Sequence, residues 1–344
     1  MVTLRDVALA CGVSAATVSR ALNGRGKTED ERYERIRQQA VSMGYRPNAA
    51  ARALKTNRSF NIGILYEDVM SHEYFSSLID GLRDAAEQKG YDLTFLSRPL
   101  YDEADDYATQ IASRGLDGIV VLQADFLSPR IQSLCRMSWP MVFIDHRQEG
   151  HDCVLSDNRQ GMEALVNYAA GCGLTRVALL LGEDGLVSRE RLQGYYKACA
   201  ENGLRVYDHF VCRAGYRNPA ACLDACASLL SLPCPPEAVL FPDDFSLLAT
   251  MTELGAQGVM IPRDLYAAGY DGIAMSRLVY PRLTTYSQNT QKMADTVIDV
   301  LHDAITRPED HVPSEYTVQG SLTRGETLRP LSIAPNASVG GSAS

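Results

Sequence analysis

A chain of 344 residues, 46% of them hydrophobic, is too long for one ordinary domain and points to two or three globular units. No uncharged apolar run approaches the roughly 20 residues that a membrane helix needs. An early acid, Asp6, and the lack of an apolar leader argue against secretion, so the expected location is the cytoplasm. Nine scattered cysteines in no metal-ligand spacing fit buried thiols better than a metal site, and no cofactor is expected. The net charge of −9 hides a split: residues 1–60 carry eleven Lys/Arg against five Asp/Glu, while the remainder is strongly acidic. A basic head on an acidic body suggests a polyanion-binding module.

In chain order, Leu4, Val7, Ala8 and Cys11 recur at helical spacing, which predicts a short helix over 4–11 with one apolar stripe. Gly12 supplies a turn, and Ser14 can cap a second helix running from Ala15 to Leu22, punctuated by Asn23-Gly24. Val18, Ala21 and Leu22 are expected inside, leaving Ala15, Ala16, Ser19 and Arg20 outside. Two helices around a glycine turn make a helix-turn-helix unit, whose second helix enters the major groove. Thr28 and Glu31 have capping-box spacing before a third helix with Tyr33, Ile36, Ala40 and Met43 on its apolar stripe and Gly44 at its end. Pro47-Asn48 followed by Ala49 to Lys55 predicts a further short hinge helix. A helix this short is marginal alone and should order only against a second copy and DNA.

The segments Thr3 to Ala8, Cys11-Gly12-Val13-Ser14, Thr17 to Asn23 and Tyr45-Arg46-Pro47-Asn48 together resemble the LacI/GalR family of bacterial transcriptional regulators. Cys11 departs from the alanine usual there, a small change. The resemblance implies that Ala15, Ala16 and Arg20 read bases, with Ser14, Thr17 and Asn23 on or near phosphates. It extends the DNA-facing set to Thr3, Leu4, Ser19, Tyr45, Asn48, Ala51 and Lys55. It also places Leu54 as an apolar wedge in the minor groove, where pyrimidine–purine steps yield most cheaply. A pseudo-palindromic operator with a central CG step is therefore expected. A plain linker contact is the simpler alternative for Leu54.

From Asn61 onward the pattern changes to apolar strands alternating with amphipathic helices. Strands are expected at Ile62–Tyr66, Leu93–Leu96, Ile119–Leu122, Met141–Ile144, Val177–Leu181, Val239–Phe241 and Tyr266–Gly269. Phe75, Leu78, Ile79, Leu82 and Ala86 share one helix face. This alternation predicts an α/β core of doubly wound parallel sheets behind the all-α headpiece. Such sheets bind ligands beyond the carboxyl ends of their strands. That rule marks the loops holding Glu67 to Phe75, Asp145, Asp243-Asp244 and Asp271, with Arg189 and Arg191 after a further strand. Helix capping and solvated loop charge are the ordinary alternatives for each acid.

The resemblance continues through Asp145, Asp157-Asn158, Gly161, Arg191, Gly194, Asp244 and Gly269-Tyr270-Asp271. It implies an effector cleft in which Tyr74 and Phe75 stack and Asp145, Arg191, Asp243 and Asp271 make polar contacts. His72-Glu73 and Asp243 depart from the family pattern, which leaves the ligand's identity open. An acidic pocket argues mildly against an anionic effector, so a sugar or other polyhydroxylated metabolite is expected. The implied organisation is a headpiece over 1–46, a hinge over 47–59 and a core over 60–330, with residues 331–344 a disordered tail. Within the core, one lobe spans 60–159 and about 288–317, and the other 160–287 and about 318–329. The chain lacks a leucine-heptad extension after Leu328, so a homodimer is expected.

The expected function is a repressor whose operator affinity is set by a small molecule that changes lobe closure. The alternatives are a solute-binding module, which would leave the basic headpiece idle, and an enzyme on the same core. No G-x-G-x-x-G, G-x-x-x-x-G-K-[ST] or G-x-S-x-G motif supports an enzyme.

Overall fold

The computed structural model describes residues 2–22, 31–45, 56, 58–67, 72–96 and 107–330. It separates into two compact units, residues 1–60 and 61–344.

In the first unit, helices α1 (Leu4–Cys11), α2 (Ala15–Leu22) and α3 (Glu31–Ser42) enclose Val7, Ala8, Val18, Ala21, Ile36 and Ala40. A capping box lies at the first helix, formed by Thr3 and Asp6. The Thr3 hydroxyl accepts the Asp6 N–H at 3.4 Å, and Asp6 Oδ2 accepts the Thr3 N–H at 2.7 Å. Two orphan donors are thereby satisfied reciprocally. The expected box at Thr28 and Glu31 lies partly outside the described residues. Gly12 adopts φ +64°, a left-handed conformation that costs glycine little and closes the helix C-terminus. At the far end of α2, Arg37 Nε on α3 donates to the Ala21 carbonyl at 3.1 Å. That bond pins the two helices and occupies an acceptor the helix end leaves open.

In the second unit, two six-stranded sheets divide the chain. The first sheet has the order β11-β5-β4-β3-β1-β2, built from β1 (Asn61–Tyr66), β2 (Asp92–Leu96), β3 (Gly118–Leu122), β4 (Met141–Ile144), β5 (Asp152–Ser156) and β11 (Glu315–Val318). All its neighbours are parallel. The second has the order β12-β10-β9-β8-β6-β7, from β6 (Val177–Leu181), β7 (Val211–Arg213), β8 (Ala238–Leu240), β9 (Tyr266–Asp271), β10 (Thr284–Ser287) and β12 (Ser321–Thr323). Its one antiparallel pair is β10 with β12. The chain passes between the sheets after β5, after β10 and after β11. Helices α4 (Glu73–Lys89), α5 (Tyr107–Arg114), α6 (Pro129–Leu134) and α12 (Thr290–Thr306) cover the first sheet. Helices α7 (Asn158–Gly171), α8 (Leu186–Glu201), α9 (Pro219–Leu230) and α10 (Asp244–Ala256) cover the second, and the four-residue α11 spans Met275–Leu278.

All but one of the apolar runs expected as strands lie inside the sheets, buried on both faces, whereas Leu93–Leu96 falls in β2, the edge of the first sheet, and buries only Leu96. The strands without a sequence signal are short or polar. Strand β10, Thr-Thr-Tyr-Ser, buries Thr284 by bonding its N–H to Thr327 Oγ1 at 2.9 Å and its hydroxyl to the Leu328 carbonyl at 2.8 Å. Partners distant in sequence therefore make this polar stretch a buried strand.

Candidate effector cleft and headpiece surface

On the headpiece, α2 is capped by the preceding Ser14, whose Oγ accepts the Thr17 N–H at 3.2 Å. Ser14, Ala16 and Arg20 are exposed, and Thr17 and Ser19 are half-buried. Arg20 Nε folds back to the Ala16 carbonyl at 3.4 Å, one helical turn away. Ala15 does not stand on the open surface. With Leu4 and Tyr45 it packs against the headpiece core. Thr3 is exposed but engaged in the α1 cap. Asn23, Asn48, Ala51, Leu54 and Lys55 lie outside the described residues.

In the core, the carboxyl ends of the strands face each other across the two lobes. Tyr74, Asp145, Arg191 and Asp271 come together there, joined by Tyr216 and Tyr270. Asp145 and Asp271 end β4 and β9 at φ +52° and +106°. Non-glycine residues adopt such angles only where their surroundings hold them, as binding sites commonly do. Asp145 Oδ1 accepts the Ser156 N–H at 2.7 Å, and Asp271 Oδ1 accepts Gln288 Nε2 at 2.7 Å.

Arg191 is 4% exposed, on the second turn of α8. Its Nε donates to Asn158 Oδ1 at 3.0 Å and its Nη1 to the Pro242 carbonyl at 2.6 Å. The guanidinium carbon sits 3.5 Å above the centre of the Tyr270 ring and 5.5 Å from that of Tyr216. A desolvated cation on an aromatic face is strongly held, so this fork is fixed before any ligand arrives. Neighbouring Arg189 is exposed.

Burial governs the charges. It pushes the Asp271 carboxyl well above its ordinary range, with Arg191 opposing, and raises Asp145 against the pull of the Ser156 bonds and Arg191. Asp244, fully buried, is raised to about 7 by burial. Its Oδ2 accepts the N–H groups of Gly272 and Ile273 at 2.8 and 3.0 Å and so fixes the loop after Asp271. Its Oδ1 neighbours the Thr285 hydroxyl, but neither atom reaches hydrogen-bonding geometry.

Asp243 is buried, and both of its carboxyl oxygens are engaged. Its Oδ1 caps α10 through the Ser246 N–H at 2.6 Å, and its Oδ2 accepts the Arg217 N–H at 2.8 Å and the Ser246 hydroxyl at 3.0 Å. The ordinary reading as a helix cap describes this residue. Phe75 is half-buried in an aromatic group with Tyr66, His72 and Tyr74, at ring centroids 5.0–5.6 Å from it.

The departure at His72-Glu73 crosses the cleft. His72 Nε2 stands 3.8 Å from Asp271 Oδ2, and Glu73 Oε1 accepts the Ala274 N–H at 2.5 Å. On another part of the rim, Arg147 grips Glu315 bidentately at 2.7 and 2.9 Å and Glu190, on α8, at 2.8 Å. Sequence reading missed Tyr216, whose hydroxyl meets that of Ser188 at 3.0 Å. It follows the three-residue edge strand β7, too short to announce a strand end. Gly182 offered an indirect signal, since a Cβ there would collide with the Tyr216 ring. Among the described residues no cluster of His, Cys, Asp and Glu could hold a metal ion, and no helix is long and apolar enough to cross a membrane.

Residues 3–48 match the family model described as bacterial regulatory proteins, lacI family, and residues 166–328 match a periplasmic binding protein-like domain. The chain is 28% identical over 336 residues to the HTH-type transcriptional repressor PurR of Vibrio campbellii, covering 96% of this chain and all of the relative. Among solved structures it is similar to the lac repressor dimer bound to operator and the anti-inducer ONPF, with TM-score 0.73, 22% identity, and coverage of 95% and 99% of the two chains. It is also similar to a CelR–cellobiose complex, with TM-score 0.67, 22% identity, and coverage of 95% and 100%.

Proposed function

The chain belongs to the lacI family of bacterial regulatory proteins, as a DNA-binding transcriptional repressor with an effector-binding core, and we propose that a neutral polyhydroxylated metabolite in its interlobe cleft sets its operator affinity. The carrying observation is that buried Arg191, Asp271 and Tyr74 and half-buried Asp145 converge at the strand ends of two lobes in a chain that also bears a helix-turn-helix headpiece. Aromatic faces suit the C–H surfaces of a sugar, and the acids and the guanidinium suit its hydroxyls. Similar structures are described with ribose or cellobiose bound, which supports the same ligand class here. The carboxyl groups of Asp145 and Asp271, which burial pushes toward their neutral forms, can donate as well as accept hydrogen bonds, and this suits the hydroxyls of an uncharged ligand.

On the DNA side, Ala16 and Arg20 read the major groove, with Ser14, Thr17 and Ser19 toward the phosphates. Arg20 on guanine would contribute about 1–3 kcal/mol of discrimination. Ala16 offers only a methyl group, so DNA shape supplies much of the remainder. Leu54 wedges the centre of a pseudo-palindromic operator at a CG step. The protein acts as a homodimer. The exposed apolar run of Met275, Leu278 and Tyr280, 47%, 76% and 90% accessible, supports a protein contact there. Its relatives' description as repressors supports a cytoplasmic, non-catalytic role.

A thermal-shift screen of monosaccharides and disaccharides tests the ligand, since one at 100 times its Kd stabilises the native state by about 2.7 kcal/mol. Arg191→Ala and Asp271→Ala should abolish the shift produced by the sugar that stabilises the wild type, while leaving DNA binding intact. Two variants that still respond fully would place the ligand elsewhere.

A further inference from the structure

The contacts between the cleft and the three segments joining the lobes converge on one side chain. Tyr286, 2% exposed, lies near the end of β10, two residues before the second crossing at Gln288. Its hydroxyl accepts the Gly320 N–H at 2.9 Å in the third crossing. The same hydroxyl donates to Gln160 Oε1 at 2.6 Å, on the first turn of α7 just after the first crossing. The first and third crossings also meet directly, through the Asp157 N–H and the Val318 carbonyl at 2.9 Å. Glycine permits this convergence. A Cβ at Gly320 would collide with the Ser287 carbonyl, and one at Gly161 with the Tyr270 hydroxyl. Tyr286 also lines a tight crevice with Tyr74, Asp157 and Gln288.

The cleft reaches this point by two routes. The Tyr286 ring lies 5.2 Å from that of Tyr270, which carries the Arg191 guanidinium on its face. Gln288 is bonded to Asp271 twice, N–H to carbonyl at 3.0 Å and Nε2 to carboxyl at 2.7 Å. The two charged groups that would hold an effector are therefore each one or two contacts from the crossings.

We propose that Tyr286 is a hinge latch: its hydroxyl clamps the ends of the three crossings, so that a displacement of Arg191 or Asp271 passes to the hinge instead of being absorbed within one lobe. The clamp stands on the geometry of the crossings alone; the transmission rests on the reading of the cleft as the effector site. Packed elements with discrete arrangements carry coupling in this way, provided that both sites bias them. Removing the hydroxyl leaves the Gly320 N–H and Gln160 Oε1 without that buried partner and loosens the junction specifically.

Amide hydrogen exchange on the full chain, without ligand, tests the latch in the wild type, Tyr286→Phe and Gln160→Ala. Phe keeps the ring packing, and Gln160→Ala keeps the bond to Gly320. Tyr286→Phe should speed exchange about tenfold at Gly320 and around 156–161 and 286–291, the scale of one lost buried hydrogen bond. Exchange in β6 and β8 should stay unchanged. Gln160→Ala should show the same hinge-confined pattern with a smaller factor. Unchanged hinge exchange in Tyr286→Phe, or an equal rise across both sheets, would overturn the proposal. Because no ligand enters this measurement, a failed sugar screen would sink the effector reading and leave the latch standing.

Discussion

Asp244 never touches the open cleft, yet it fixes the loop that presents Asp271. Its carboxyl, raised to about 7 by burial, holds a proton in the native state that it lacks in the unfolded chain between about pH 4 and 7. Stability from this group therefore falls as pH rises through that window and is level above it. Asp244→Asn keeps an oxygen for the Gly272 and Ile273 N–H groups and removes the titration. Urea unfolding should find the variant more stable than the wild type at pH 8, with the gap closing by pH 4. A variant less stable at pH 8, with a parallel profile, would contradict this account. The same residue shows how far a sequence reveals a site. Strand ends marked Asp145, Arg191 and Asp271 correctly as neighbours, because ligand positions in doubly wound sheets follow topology. The rule could not separate Asp271, which faces the cleft, from Asp243, which caps the helix after the adjacent strand. Both are acids at a strand end, and only the position of Ser246 and Arg217 around Asp243 distinguishes them.

At the scale of elements, the joint between β5, β11 and α12 depends on His311. Its Nε2 meets Asp152 Oδ2 at 2.7 Å and its Nδ1 meets Asp303 Oδ2 at 3.3 Å, while Asp152 Oδ1 accepts the Ser314 N–H at 2.9 Å. Arg307 also contacts Asp303, at 3.1 Å. Burial pulls the imidazole down, but the bonds to Asp152 and Asp303 outweigh it and leave His311 raised. A raised histidine contributes fully below its unfolded value of about 6.5 and loses that contribution as pH rises through the higher folded value. The stability gap between the wild type and His311→Gln, read by urea unfolding, should therefore be larger at pH 6 than at pH 9. A gap that does not change, or that widens at pH 9, would contradict the staple. None of this joint was legible in the sequence, since His311, Asp152 and Asp303 meet only once β11 pairs with β5. The first two headpiece helices were legible to the residue for the opposite reason. Their stripes, turn glycine and Ser14 cap are all local signals, and only the Thr3–Asp6 cap escaped notice.

At the scale of the whole molecule, among the described residues, the lobes are tied across the cleft by polar contacts and by Leu186 packing on the core of the first lobe. Arg147 to Glu190 is partly exposed, and exposed ion pairs contribute about 0–1 kcal/mol. Glu73 to Ala274 adds one charge-assisted bond. Ties this weak leave closure within reach of an effector's differential affinity, typically about 1–3 kcal/mol. The charge split along the chain assigns the other half of the switch to the basic headpiece. Each phosphate neutralised by Lys or Arg releases counterions and steepens the dependence of binding on salt. The most direct test titrates full-length protein into labelled duplex carrying a palindromic site with a central CG step, across about 50 to 200 mM salt, with Arg20→Ala alongside. Wild-type affinity should fall steeply and linearly on a double-logarithmic plot, and Arg20→Ala should lose preference for this duplex over a scrambled one. Failure of the wild type to bind duplex at the lowest salt, or unchanged preference in Arg20→Ala, would contradict this assignment of the headpiece.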